Sequence, residues 1–133
     1  MDDKERFYRG IKRSQPSVIT GEGRVSSALF KEERIDKDGK CGVSVTLEAN
    51  REQSIVFEQF DSAFGKRLKG IVRLTQEDVK KAKAFIFPSP SLLNPYHAEI
   101  FQNEAKETLT NLQSLILADL CEMVCLKEDV PWV

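Results

Sequence analysis

The chain has a single histidine, His97, in the run Leu93-Asn94-Pro95-Tyr96-His97-Ala98-Glu99-Ile100-Phe101. An imidazole that titrates near neutrality can act as acid, base or electrostatic donor, so His97 is the candidate catalytic residue. Pro95 stiffens the approach to it. Asn94 can bond the following backbone and fix the turn, and it is grouped with the ligand-binding candidates. If the segment is a strand, Glu99 shares the face of His97, although any solvent face shows the same alternation. The plainer reading is a histidine that bonds a backbone group and locks the strand entry.

A second group is Arg9, Arg24, Ser26 and Ser27. Paired hydroxyls beside guanidinium groups suit a phosphate or a carboxylate. Serines after a glycine-rich loop are also ordinary turn chemistry. A nucleophilic Ser26 or Ser27 needs His97 within hydrogen-bond reach, a distance that sequence does not give.

No metal or cofactor is expected. Asp36 and Asp38 resemble the start of a calcium loop, but Leu47 stands where the closing acid belongs. Cys121 and Cys125 with one distant histidine do not have the spacing of a zinc site. The chain carries no phosphate-binding glycine loop, zinc-protease or nucleophile-elbow motif.

The elements that must position these residues read as follows. Arg6 to Ile11 is a short strand. Val43-Ser44-Val45-Thr46-Leu47 alternates with period two, as a half-buried strand does. Val56, Phe57, Phe60, Ala63 and Phe64 fall on one side of a helix that Gly65 stops. Gly70 to Leu74 is a further strand. Thr75 caps a short helix with acids in its first turn, and Ala84 to Phe87 is a strand ended by Pro88. Asp38-Gly39 marks a turn.

From about 103 to 126 the apolar residues Ala105, Leu109, Leu112, Ile116, Leu120 and Met123 recur every three or four positions. That spacing predicts one long C-terminal helix. Its stripe is wider than one packing face needs, so Leu109, Leu112, Ile116 and Leu120 are assigned to a protein partner or a homodimer. The expected architecture is a single α+β domain over 1–133: a small mixed sheet, short helices, and the long helix packed on the sheet. Residues 1–5 are expected to be disordered.

Composition narrows the partners. The 133 residues include 41% hydrophobic and 31% charged, with 20 basic against 21 acidic side chains. A globular chain with so balanced a charge has no global field for a nucleic-acid backbone. Neither a signal peptide nor a membrane span is visible. Cys41, Cys121 and Cys125 are an odd count, which suits free thiols and a cytoplasmic location.

Several of these segments resemble a family of small, largely uncharacterised bacterial proteins with the running pattern LYRR-I…G-R-x-S-S-x-A-F…x-S-V…NPAHA-x-I. Here the pieces stand as Phe7-Tyr8-Arg9-Gly10-Ile11, Gly23-Arg24-Val25-Ser26-Ser27-Ala28-Leu29-Phe30, Val43-Ser44-Val45 and Asn94-Pro95-Tyr96-His97-Ala98-Glu99-Ile100. The chain departs at Gly10, where the pattern often has a second arginine, at Leu29, and in its C-terminal helix. The resemblance implies that Arg9, Ser26, Ser27 and His97 form one site, and it implies no reaction.

Two functional expectations follow. One is a non-catalytic binding or accessory protein of a bacterial multi-component system, of a defence or toxin type, which associates through its apolar C-terminal helix. The alternative is a small enzyme or ligand-binding domain for a phosphorylated or nucleotide-like molecule. In that alternative His97 is the acid/base, Arg9 and Arg24 clamp the anion, and Ser26 or Ser27 orients it.

Overall fold

β1 (Arg6–Lys12) is the strand on which the others assemble, because both of its faces carry large apolar residues. Phe7 and Ile11 point to one side and Tyr8 to the other, and all three are fully buried. The computed structural model describes residues 1–31, 42–128 and 131–132. The calcium-like acids Asp36 and Asp38, the Asp38-Gly39 turn and Cys41 lie outside the described residues.

Around β1 run β4 (Val43–Leu47), β5 (Leu68–Thr75), β6 (Phe85–Pro88), β7 (His97–Phe101) and β8 (Glu122–Leu126), in the spatial order β6-β7-β4-β1-β5-β8. Every neighbouring pair is antiparallel, which corrects the mixed sheet expected from the sequence. The helix α1 (Gln53–Phe64) does link two strands of like direction, β4 and β5. β1 lies between them and converts one parallel pair into two antiparallel ones. A separate small hairpin, β2 (Ile19–Gly21) with β3 (Arg24–Val25), turns at Gly23, whose φ of 68° suits a residue without a Cβ.

The sheet has a helical layer on each face. On one side Phe7, Val45, Val72, Leu74 and Ile100 pack with Leu29 and Phe30 of a 3-10 turn (Ser27–Phe30). Val79 of α2 (Gln76–Lys81) and Leu117 of α3 (Asn111–Leu120) complete that core. On the other side Tyr8, Leu68 and Ile71 pack with Val56 and Phe60 of α1. Thr75 and Asp78 close α2 with a reciprocal capping box.

The long C-terminal helix is the main correction. α3 has 10 residues, and the chain returns to the sheet as β8, pairing Ile71 with Cys125 and Val72 with Met123. Thr110 starts the helix by accepting from the Gln113 N–H, while the Gln113 side chain bonds back to the Thr110 N–H. Before that, Asn103 to Lys106 is a turn with Lys106 at φ 59°. At Cys121 the backbone becomes extended, with φ −68° and ψ 156°. The face of α3 that is buried carries Gln113, Ser114, Leu117 and Ala118, whereas Leu112 and Leu115 are exposed.

Residues 2–5, expected to be disordered, form a turn tied to the start of α2, where Glu77 N–H donates to the Asp3 carbonyl and Gln76 N–H to that of Glu5. At the other end the Trp132 ring lies 5.0 Å from Lys69 Nζ, which also donates to the Lys127 carbonyl at 2.8 Å.

Candidate functional site

The sheet is split along its middle. β1 pairs with β5 from Arg6 to Lys12, but with β4 only at Phe7–Leu47 and Tyr8–Thr46. The next hydrogen-bonded pair in that register, after Tyr8 with Thr46, would set Gly10 against Ser44. Instead the Arg9 side chain enters the gap: Nε donates to the Leu29 carbonyl and Nη1 to the Ser44 carbonyl, each at 2.7 Å. A carbonyl that a regular ladder would offer to β1 is thus taken by a guanidinium, and the two halves of the sheet diverge. Further along, the Lys12 N–H bonds the Gln15 side chain at 3.1 Å rather than a strand.

The divergence opens a cleft of about 910 Å³, large enough for a metabolite-sized ligand. One wall is α1, with Gln59, Phe60, Ala63 and Phe64. Gly10 lets that wall close in, since a Cβ there would stand 3.3 Å from the Phe60 ring. Arg51 fixes the helix to the end of β4, donating to Gln59 Oε1 at 2.8 Å and to the Leu47 carbonyl at 2.6 Å. The same guanidinium lies 3.5 Å over the Tyr96 ring.

The loop that leads into His97 also lines the cleft. Asn94 Nδ2 donates to Thr46 Oγ1 at 3.2 Å, and Asn94 Oδ1 accepts the Tyr96 N–H at 3.0 Å. Asn94 therefore builds the turn as its sequence context suggested. His97 Nδ1 lies 3.0 Å from the Ser89 carbonyl. A carbonyl only accepts, so Nδ1 carries the proton in this contact, and the neutral ring keeps its lone pair on Nε2. Lys12 and Lys31, both exposed, also line the cleft. No carboxylate is found among the described residues lining the cleft.

Of the residues singled out from the sequence, Arg9, Asn94 and His97 border this cleft. Arg24, Ser26 and Ser27 do not: Arg24 is exposed on β3, Ser27 opens the 3-10 turn, and Ser26 Oγ is buried without a partner among the described residues. The implied single site is therefore divided, and neither serine lines the cleft that His97 borders. Glu99 does share the face of His97, but it packs at Gly42, where a Cβ would approach the Glu99 Cβ to 2.6 Å. Leu109 is buried just before α3, and Ile116 and Leu120 are half-buried on it. Leu112, at 65% exposure, is the exposed member of that assigned set.

Lys12, Lys31, Gln59, Phe60 and Phe64 are among the cleft residues not singled out from the sequence as site residues. Period-two alternation places Lys12 on the face of Tyr8 and Gly10, so that one signal was present. Nothing local marks Lys31.

Three groups titrate above their usual range: the buried Tyr8 hydroxyl and the half-buried Cys121 and Cys125 thiols, each raised chiefly by desolvation. Burial pushes the Tyr8 hydroxyl up to about 12, helped by Glu48, which accepts its hydrogen bond at 2.7 Å. Burial likewise pushes the Cys121 thiol up to about 12. Cys121 sits at the end of α3, and Cys125 lies on β8 rather than on the helix expected for both. Each packs against a different core cluster.

No family model, curated protein or solved structure matches the chain. Among the described residues no group of three His, Cys, Asp or Glu side chains could hold a metal ion, and no helix is long and apolar enough to cross a membrane.

Proposed function

We propose that this α+β protein is a non-catalytic binding protein whose cleft between β1 and β4 takes a small anionic molecule. The observation that carries the reading is the charge of the lining: Arg9, Lys12 and Lys31, and no carboxylate among the described residues, in a chain of net charge −1. Cations gathered in a partly enclosed cleft favour an anion more strongly than the same charges on an open surface. Neither Ser26 nor Ser27 lines the His97 cleft, which supports binding over nucleophilic catalysis.

The test is thermal melting with matched anionic and neutral metabolites. A ligand that binds the folded state raises the melting temperature by mass action. The expected result is a rise with phosphates or carboxylates that Lys12→Glu and Lys31→Glu together abolish. A rise with no anion, or one that survives both charge reversals, would sink the reading.

A second reading, association of α3 with a protein partner or a second copy, is favoured by Leu112 and Leu115, which are 65% and 56% exposed. Light scattering across a concentration series tests self-association. A monomer at every concentration, unchanged by Leu112→Ser with Leu115→Ser, would remove the homodimer.

A further inference from the structure

We infer that the anion held in the cleft is a phosphate carried on a body with a flat ring and a hydrogen-bond donor, as in a nucleoside monophosphate. The inference rests on the anionic cleft proposed above and goes on to name the ligand class.

The phosphate follows from which cations remain available. Arg9 places Nε and Nη1 on two carbonyls, so its planar fork is engaged in the fold and is not offered edge-on to a carboxylate. Lys12 and Lys31 form no ion pair among the described residues and are exposed at the cleft. Ammonium groups are compact point charges without a bidentate geometry. Two of them suit a dianion with several equivalent oxygens better than a single planar carboxylate.

The flat body follows from the α1 wall. Phe60 and Phe64 are stacked, with ring centroids 5.9 Å apart and planes 12° apart, and Ala63 lies between them in sequence on the same cleft wall. Phe60 is buried behind this wall and Phe64 is half-buried, so it is the Phe64 ring that offers surface for a planar group to pack on. The donor follows from the histidine. With Nδ1–H held by the Ser89 carbonyl, neutral His97 offers a lone pair, and an acceptor selects a ligand N–H or O–H. Apolar wall, acceptor and two lysines all line the same cleft, which can therefore meet the three parts of such a ligand.

The experiment is titration calorimetry with adenosine and guanosine monophosphates, the two free nucleosides, and inorganic phosphate. It would be run on the wild type and on Lys12→Ala with Lys31→Ala. Both lysines are exposed, so the double variant is expected to fold, and its melting curve without ligand verifies this. The expected result is that a monophosphate binds more tightly than phosphate or nucleoside alone. The double variant should weaken the monophosphate by about a hundredfold, taking each charge-assisted contact as about a factor of ten, and change nucleoside binding by less than about threefold.

The single histidine supplies an independent reading. Its imidazole nitrogen resonances should show the Nδ1–H tautomer in the free protein and a change at Nε2 on addition of the monophosphate. Monophosphates no tighter than inorganic phosphate would overturn the ligand class and leave the anionic cleft standing. The Nε2–H tautomer in the free protein would overturn the donor requirement. No heat and no melting shift with any of the anions would overturn both this inference and the reading it rests on.

Discussion

Gln113→Glu separates the observed register of α3 from the one its apolar spacing suggests. Thr110-Asn111-Leu112-Gln113 is a capping box, and glutamate at its last position is ordinarily as good as glutamine or better, because a carboxylate favours the helix N-terminus. In the structure Gln113 is 8% exposed. Its Oε1 accepts from Thr110 N–H at 3.0 Å, while Nε2 donates to the carbonyls of Lys83 and Gln102 at 3.0 and 3.1 Å. Glutamate keeps the first bond but turns an oxygen toward two carbonyl oxygens. Two lost hydrogen bonds cost about 1 kcal/mol each, and a nearly buried anion facing two acceptors adds at least about 1 kcal/mol. The expected loss at neutral pH is therefore about 3 kcal/mol.

With a urea slope of about 1.5 kcal/mol/M, that moves the unfolding midpoint down by about 2 M. The introduced carboxyl is better tolerated neutral, so its folded pKa lies above its unfolded value. The deficit is then smallest below the unfolded carboxyl range and grows as pH rises through the folded pKa. Urea denaturation followed by far-UV circular dichroism at acidic and neutral pH measures both features. A variant as stable as the wild type at neutral pH would refute the placement of Gln113, and with it the buried face of α3.

Gly70→Ala should cost about 1–2 kcal/mol in chemical denaturation, because its Cβ would stand 2.9 Å from the Cys125 carbonyl oxygen and a backbone atom does not move aside cheaply. An unchanged midpoint would place β8 elsewhere. Tyr8 has a folded pKa raised to about 12, so the neutral hydroxyl stabilises the fold in full below its unfolded value near 10. That contribution is lost as pH rises toward 12, and the difference in stability between the wild type and Tyr8→Phe should shrink over that window. Cys121, with its thiol pushed up to about 12, should resist alkylation at pH 8 in the native state and react once unfolded. Mass spectrometry of peptides containing Cys121 checks this.

The sequence showed those parts of the fold that short-range rules govern. The alternation of Val43 to Leu47, the Val56–Phe60–Phe64 face and the Thr75 cap each depend on neighbours within a few residues, and each element is present. The 103–126 segment misled because its apolar spacing has more than one solution. Met123, Val124 and Cys125 continue a helical period, yet a strand partner on β5 is available to them, and no glycine or proline announces the change at Cys121. The Thr110–Gln113 box was a readable start signal that the wider stripe obscured. The cleft was out of reach for a different reason. It exists because Arg9 takes the Ser44 carbonyl, a contact between distant residues with no local pattern to reveal it.

The strand order also governs how the chain finds its fold. Phe7 must meet both Leu47 and Leu74, Val45 must meet Ala98, and Ile71 must meet Cys125. In the large sheet only β6 and β7 are joined directly by one short connection. Nearly every pairing therefore waits on the closure of a long loop, whose entropy is lost before any contact compensates for it. Such a topology places refolding in the millisecond-to-second range of non-local β proteins. The central strand, although first in sequence among those of the large sheet, completes its pairing only after its partners on both sides have been drawn in.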